Sequence, residues 1–303
     1  MSIHVEKKME ILFTHRQEML YLEHARVRLE NDRVVYDMDG DKEALRYNFP
    51  YKNAQVLMLG TGTSITQAAM KKLSLEGVIV VFSGSEGLPF YMASVSEYRP
   101  SKYAIGWITQ WLDTETRMAL AQAMLVYRLD FTRMMIDAGL CPLKPSLLED
   151  IGERVHNALD QQSLRGIEGE MMRNRIYKSY ARHYLGDNTA FVRDGGLEKS
   201  KGDEAAANVA INHGNSLAYG VAAGALWSLG IPTAFPVLHG TTRNGGLIFD
   251  VADLIKDGLV LPWAFENRNV PIRKSIQDLR WLIKKYKADK FMVETLKTLA
   301  VGA

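Results

Sequence analysis

The chain has 303 residues, 47% of them hydrophobic and 24% charged, and a formal net charge of +2. This is an ordinary globular composition, long enough for one large domain or two of ordinary size. Cys141 is the only cysteine, which excludes an intramolecular disulfide and a cysteine-based zinc site. No apolar run reaches the roughly 20 residues of a membrane span. The charged start, Met1 to Glu10, lacks the apolar core of a secretory signal, so we expect a cytoplasmic protein.

Strand-like runs dominate residues 11 to about 100. They are short, several alternate apolar with polar residues, and turn residues such as Asn31-Asp32 separate them. Ala54–Leu59 and Gly77–Phe82 are largely apolar runs, which predict two buried strands. Between them, Thr63 or Ser64 is expected to cap a helix over roughly 65–75. The glycines and prolines of 84–101 predict an irregular crossover.

From Tyr103 onward the apolar pattern becomes helical. Helical periodicity marks 107–125, 127–135, 147–159, 167–184 and 217–229, and the last of these stops at Gly230-Ile231-Pro232. Residues 186–207 read as a polar loop, and 272–299 as one or two basic helices. The sequence therefore predicts an α+β protein, with a β-rich N-terminal domain over 1–98 and a larger all-α domain over 103–303.

Gly60-Thr61-Gly62 follows a predicted strand and precedes a predicted helix, as in a dinucleotide-binding loop. However, Ile65 stands where the third glycine of that fingerprint belongs, and Phe82-Ser83 replace the acidic residue expected after the next strand. A tight turn followed by a helix start is therefore the better interpretation.

Histidine and acidic residues cluster near the C-terminal end. His239 follows an apolar run, and Asp250, Asp253 and Asp257 recur at i, i+3 and i+7 within an apolar stretch. This spacing places the acids on one face of a helix that is partly buried. Buried acids are costly unless they are paired or bind a metal. A core histidine and helix-capping acids remain the alternative, but together the residue types suit Mg²⁺ or Mn²⁺.

A third metal ligand is expected in Leu164–Glu170, where Gly166 and Gly169 flank Ile167 and Glu168. Two glycines inside a helical run cost about 1 kcal/mol each relative to alanine, which makes more sense where a backbone or ligand approaches closely. The alternative is an amphipathic helix with a solvated charged face. Further on, Asn215 is expected to cap the helix that ends at Leu229, or to join exposed amides in holding a phosphate.

Several motifs, in this order along the chain, resemble one family. They are Leu59–Met70, Ser96-Glu97-Tyr98-Arg99-Pro100, His213-Gly214-Asn215, Leu217–Gly220, Leu229–Pro232, Val237–Gly240 and Gly246–Asp257. They resemble the CRISPR-associated integrase of spacer acquisition, the Cas1 family, and its type I-F branch in particular. The resemblance covers nearly the whole chain.

The resemblance implies a site. Glu168-Gly169 matches the family's metal glutamate, His239 its histidine and Asp253 its last acidic ligand. Asp250 matches a neighbouring acid that supports a ligand from behind or contacts the metal through a water molecule. Because Glu168 and Glu170 lie about 200° apart on a helix, only one of them can face the site, and the family motif selects Glu168. Catalysis is thus expected from Glu168, His239, Asp253 and Asp250, with Mg²⁺ or Mn²⁺ as cofactor.

The resemblance also implies a reaction and partners. A terminal 3′-OH attacks a phosphodiester, which joins a DNA fragment to a repeat array. The expected partners are the DNA, a second copy of the chain bound through the β-rich domain, and Cas2, which type I-F systems fuse to the Cas3 helicase-nuclease. Two alternatives remain open, a metal-dependent phosphohydrolase or structure-specific nuclease, and a catalytically silent DNA-binding scaffold.

Overall fold

A computed structural model describes residues 18–38, 45–83, 89–93, 101–187, 191–195, 201–239 and 245–302. The chain divides into two compact units, one of residues 1–85 and 89–99 and the other of 86–88 and 100–303. Among the described helices, none combines the length and the apolar character that a membrane span requires.

Two four-stranded sheets and one helix are found in the described part of the first unit. The strands are β1 (Glu18–Leu22), β2 (Ala25–Glu30), β3 (Arg33–Met38), β4 (Leu45–Asn48), β5 (Ala54–Leu59), β6 (Ser64–Ile65), β7 (Ile79–Ser83) and β8 (Pro89–Ala93). One sheet has the order β1-β5-β7-β8 and the other β4-β3-β2-β6. β5 pairs in parallel with both β1 and β7. As a central strand it is buried from Val56 to Leu59, which is why these four residues are all apolar.

Two predicted turns are found and one predicted cap is wrong. Asn31 and Asp32 both have positive φ angles between the antiparallel strands β2 and β3, as a tight hairpin requires. Gly62 also has a positive φ, in the turn before β6. Helix α1 (Gln67–Leu75) begins later than expected, because β6 intervenes, and Thr66 is its N-cap rather than Thr63 or Ser64.

In the described residues of the second unit all regular secondary structure is helical, as the sequence predicted. Its helices are α2 (Ser101–Leu112), α3 (Thr114–Asp137), α4 (Pro145–His156), α5 (Gln161–Glu170), α6 (Tyr177–Leu185), α7 (Gly202–Leu229), α8 (Gly246–Ile255), α9 (Leu261–Glu266), α10 (Ile272–Lys285) and α11 (Ala288–Val301). Two π-helical segments, Met171–Ile176 and Lys256–Val260, join α5 to α6 and α8 to α9.

Strand β8 corrects the expectation of an irregular crossover over 84–101. It pairs antiparallel with β7, and Pro89 stands at its first position, where a missing N–H is tolerated. Residues 84–88 and 94–100, the rest of that crossover, lie outside the described residues. Ser101 already belongs to α2, two residues before the predicted start of the helical part.

Helix α7 corrects the expectation of a helix start at Asn215. The helix begins at Gly202, so Asn215 is a buried mid-helix residue, and both the capping and the phosphate-binding interpretations are wrong. The start of α7 also shortens the predicted polar loop. Gly214 has a packing role, because a Cβ there would stand 2.7 Å from Val260 Cγ1 and 2.9 Å from Trp263 Cζ3.

Candidate active site

Asp250 organises the loop that carries His239. Its side chain is buried in α8 and accepts hydrogen bonds from the backbone N–H groups of Val237 (2.6 Å), Leu238 (3.1 Å) and His239 (2.9 Å). The same carboxylate lies 2.7 Å from His239 Nδ1. The three N–H groups need an acceptor, which the carboxylate oxygens of Asp250 supply to the whole loop. Because Nδ1 faces Asp250, the imidazole presents Nε2 on its other edge.

The charges around His239 favour its protonated form. Burial of the ring opposes protonation, but the hydrogen bond to Asp250 and the charges of Asp253, Asp250 and Glu168 outweigh it and raise the pKa of His239. In the absence of another cation, the imidazole therefore holds its proton to higher pH than usual. A bound cation and that proton would compete for the same ring.

Asp253 lies one turn beyond Asp250 and contacts two cations. Its carboxylate is 3.1 Å from Lys256 Nζ and 3.4 Å from Arg128 Nη1. Burial opposes its ionisation, but the charges of Lys256 and then Arg128 outweigh that effect and lower the pKa of Asp253. Burial likewise opposes the charge on Lys256, yet Asp253 raises the pKa of that ammonium far above its usual value. Both groups are therefore ionised at neutral pH.

Arg128 joins three acidic residues at the centre of the unit. It stands in the middle of α3, only 1% exposed. Its guanidinium donates to Asp257 Oδ2 (2.6 Å) and Oδ1 (3.0 Å), a bidentate pair. Nη1 also donates to Glu168 Oε1 (3.1 Å) and Asp253 Oδ2 (3.4 Å). One cation therefore brings the carboxylates of two predicted ligands to the same nitrogen.

Helix α5 is tied to the His239 loop by one of its faces. The side chain of Gln161 donates to the carbonyl of Val237, and Arg165 Nε donates to the carbonyl of Leu238 at 2.7 Å. Glu168 follows at the next helical spacing on this face. The other glutamate, Glu170, is turned away and pairs with Arg154 and Arg175. Of the two glutamates, the structure therefore brings only Glu168 to the charged centre.

No described protein group packs so closely against the two glycines beside Glu168 that it would exclude a side chain. A Cβ at Gly166 would meet no atom within 4 Å, and one at Gly169 would meet only Arg173 Nη2, at 3.5 Å. Within the described residues, no backbone therefore approaches these two glycines closely.

Sequence reasoning missed Arg128 and Lys256 as parts of this site. The signal for Arg128 was available: the apolar face of α3 runs through Met124, Leu125 and Phe131, and Arg128 is the only charge in that row. A charge inside an apolar stripe indicates a buried partner. Lys256 lay within the quoted acidic stretch, but its direction depends on the switch from α8 to the π-helical segment.

The donor set is suited to a hard divalent cation. Two carboxylates and an imidazole with a carboxylate behind it are a common arrangement for such an ion. Within the described ranges, however, no three His, Cys, Asp or Glu side chains stand close enough together to hold a metal. The carboxylates of Glu168 and Asp253 instead contact Arg128 and Lys256. The residue types therefore fit a metal, and binding would require them to exchange these contacts.

Comparisons with known proteins agree with the sequence motifs. The family model for "CRISPR associated protein Cas1" matches residues 19–269. A CRISPR-associated endonuclease Cas1 of Pseudomonas aeruginosa is 38% identical over 318 aligned positions, which cover 96% of this chain and 94% of that protein. A CRISPR-associated endonuclease Cas1 of Pectobacterium atrosepticum is 37% identical, over 84% of this chain and 82% of that protein.

Solved structures share the fold. A TtCas1–DNA complex has a TM-score of 0.63 at 24% identity and covers 95% of this chain and 97% of that one. A casposase bound to its integration product has a TM-score of 0.71 at 13% identity, covering 94% and 91%. A Cas6-RT-Cas1–Cas2 complex has a TM-score of 0.67 at 14% identity, covering 94% of this chain and 34% of that one. With its family motifs in order along the sequence and relatives that match over most of their length, this chain belongs to the Cas1 family of CRISPR-associated proteins.

Proposed function

We propose that this protein is a metal-dependent DNA endonuclease and integrase of spacer acquisition, which inserts DNA into a CRISPR array by transesterification at a 3′-OH. The convergence of Glu168 and Asp253 on Arg128, beside the His239–Asp250 pair, carries the proposal. Membership of the Cas1 family, whose two quoted relatives are named endonucleases, supports the reaction class. The fold shared with a casposase bound to its integration product is compatible with it.

Glu168, His239 and Asp253 are the residues that would hold Mg²⁺ or Mn²⁺. When bound, the ion would neutralise phosphate oxygens and activate the attacking hydroxyl. Asp250 holds the imidazole in one orientation, with Nε2 directed away from the loop. Arg128 keeps the carboxylates of Glu168 and Asp253 close together before any ion arrives.

The chemistry needs no side-chain nucleophile. One P–O bond forms to the attacking 3′ oxygen and one breaks, so a new 3′-OH leaves and the number of phosphodiester bonds is unchanged. The task of the protein is to place two DNA ends and to stabilise charge on the phosphate, the terms that dominate in phosphoryl transfer. Asp253, which is buried, and Lys256, which is partly buried, are both ionised and give the site fixed charges of both signs.

The proposed assembly follows the same family. The β-rich domain over 1–98 would mediate a homodimer, and the all-α domain over 103–303 would carry catalysis. Two such dimers would bind Cas2, fused to the Cas3 helicase-nuclease in a type I-F system. The shared fold with a chain of a Cas6-RT-Cas1–Cas2 complex supports the Cas2 partnership, and DNA in the TtCas1 complex supports DNA as the substrate class.

Integration is tested with the protein, its Cas2 partner, a short duplex with 3′-OH ends and a plasmid that carries a repeat array. We expect joining at the repeat boundary in the presence of Mn²⁺ and none in EDTA. His239→Ala should lower the rate of joining by more than about 100-fold, because a direct metal ligand contributes at least as much to activity as the residues that hydrogen-bond to it. His156→Ala is the matched control, because that histidine is exposed at the end of α4.

Each outcome has a distinct meaning. Normal joining by His239→Ala or Asp253→Ala would contradict the site. Metal-dependent cleavage without joining would favour a phosphohydrolase, and tight DNA binding without reaction would favour a scaffold.

Thermal unfolding supplies a second readout of metal binding. A ligand that binds only the folded state stabilises it, so Mn²⁺ should raise the Tm of the wild type and of His156→Ala but not that of His239→Ala.

A further inference from the structure

A cationic cavity lies in the helical unit and includes none of the residues assigned to the active site. Its volume is about 830 Å³, and α4, α6 and the π-helical segment before α6 supply its walls. Four cations line it against two carboxylates. These residues are Lys144, Arg175, Lys178, Arg182, Asp150 and Asp187. The cavity thus carries an excess of two positive charges.

Three of the four cations have no ion-pair partner within the described ranges. Arg175 is paired with Asp150 and Glu170, whereas Lys144, Lys178 and Arg182 are exposed to solvent and form none of the salt bridges in the part of the chain that the structure describes. Lys178 and Arg182 stand at i and i+4, so they share one face of α6. An anion in the cavity could contact both without breaking an existing pair.

Helix α4 adds to the positive potential. Its N-terminal residues, among them Ser146, line the cavity, and Lys144 occupies the N-cap without a side-chain hydrogen bond to the helix. The first turn contains no acidic residue. Pro145 has no N–H and Leu147 N donates to Lys144 O at 3.0 Å, so the helix offers an anion the N–H of Ser146 and the positive end of its dipole, in addition to the side-chain cations.

The lining distinguishes a phosphate backbone from a nucleotide base. Among the described residues that line the cavity, His183 is the only one with an aromatic ring. Sites for the unpaired bases of single strands rely on aromatic stacking, whereas basic side chains, hydroxyls and helix N-termini contact phosphates. The cavity offers the second set, with hydroxyls from Ser146 and Ser179.

We infer that this cavity binds backbone phosphates of the DNA on which the protein acts. These phosphates would belong to the part of the DNA that extends from the active site along α6. The inference rests on the proposed function. Glu168 and the two cations belong to one nearly continuous helical rod, α5, the π-helical segment and α6. At 1.5 Å per residue, Lys178 and Arg182 lie about 15 and 21 Å from Glu168 along that rod. In a duplex that follows the rod, the phosphates beside Lys178 and Arg182 would be those about four to six base-pair steps from the reacting bond.

The test measures DNA affinity without catalysis. A fluorescent duplex is titrated with the full chain in EDTA at several KCl concentrations, and log K is plotted against log salt. Each lost phosphate contact lowers the slope by about 0.9, so Lys178→Ala/Arg182→Ala should lower it by about 1.8. The charge-preserving variant Lys178→Arg/Arg182→Lys should keep the wild-type slope.

Lys284→Ala/Lys290→Ala is the matched control, because it removes two exposed lysines from α10 and α11. A reduced slope in the cavity variant alone supports the inference. An unchanged slope in that variant, or an equal reduction in both, overturns it. Since binding is measured without metal, a protein that binds through the cavity but does not integrate would contradict only the proposed function. If the protein integrates DNA but the cavity variant binds DNA with the wild-type salt slope, only this inference is contradicted.

Discussion

Arg128 is the residue on which the charged centre depends. A buried guanidinium is costly in itself, and its charge is kept only because Asp257, Asp253 and Glu168 surround it. Burial opposes the charge, yet these carboxylates raise the pKa of Arg128 well above its usual value. The arrangement is therefore interdependent: removing one member leaves another charged and buried.

Replacement of Arg128 tests this interdependence. Arg128→Met should lower the free energy of unfolding by about 3–5 kcal/mol, because Asp257 would remain buried without its cation. Urea unfolding measures the change. Arg133 lies on the same helix as Arg128 and forms an exposed ion pair with Glu149 at 3.6 Å. Arg133→Met removes that pair and should cost less than about 1 kcal/mol. The double variant Arg128→Met/Asp257→Leu should recover much of the loss, and equal losses in the single and double variants would contradict the explanation.

Glu168 and Glu170 show how two adjacent like residues receive different roles. The Glu168 carboxylate accepts a hydrogen bond from Arg128 in the charged centre, whereas the Glu170 side chain is 35% exposed and paired on the opposite side. Glu168→Gln should reduce strand transfer by at least about 100-fold, and Glu170→Gln should retain it. The comparison is made in the integration assay at saturating Mn²⁺. Loss of strand transfer in Glu170→Gln but not in Glu168→Gln would reverse the assignment.

At the scale of elements, the helices are placed by close contacts that a sequence pattern cannot specify. Helix α7 passes the π-helical segment before α9 so closely that Gly214 has no room for a side chain. The same helix contacts α8 and α11, so it forms a central support for the helices that carry the site.

Gly214→Ala measures that contact. We expect it to lower the free energy of unfolding by about 1–3 kcal/mol, because the new methyl group would overlap Val260 and Trp263. Gly166→Ala, in α5, is the matched control: no atom stands within 4 Å of the added Cβ, so alanine should stabilise that helix by up to about 1 kcal/mol. Equal effects of the two substitutions in urea unfolding would contradict the close-contact explanation.

Helix α5 also depends on the cap at its start. Asp160 accepts hydrogen bonds from Ser163 N (2.7 Å) and Ser163 Oγ (2.8 Å), which lower the pKa of its carboxyl. Because the folded pKa lies below the unfolded one, the stabilisation is complete above the unfolded value of about 3.9 and is lost as the pH falls through the folded pKa.

The pH dependence of this cap is measured against Asp160→Asn, which keeps a capping side chain but does not ionise. The Tm difference between wild type and Asp160→Asn should favour the wild type most at pH 6. It should shrink as the pH falls below about 4. A difference that stays constant between pH 6 and pH 3 would show that the ionised cap adds nothing to folding.

At the scale of the whole molecule, local patterns predicted the kinds of element and their order. Strands before residue 100 and helices after it are confirmed, because alternation and 3.6-residue periodicity report directly which face of an element is buried. The boundaries were less secure. β8 was missed because its proline suggested a break, and the start of α7 at Gly202 was missed because charged residues open the helix, where they are stabilised by its dipole.

The sequence by itself determined the family, through ordered motifs, and which residues to examine: Glu168, His239, Asp250 and Asp253. It also determined that Glu168 and Glu170 point in different directions, since helical geometry fixes that angle. Only the tertiary structure decided that Arg128, which lies 40 residues before Glu168 and more than 120 before Asp253 and Asp257 in the chain, joins these three carboxylates. The physical reason is that burial makes an isolated charge costly, and the partners that offset this cost are chosen by three-dimensional proximity, which no local pattern encodes.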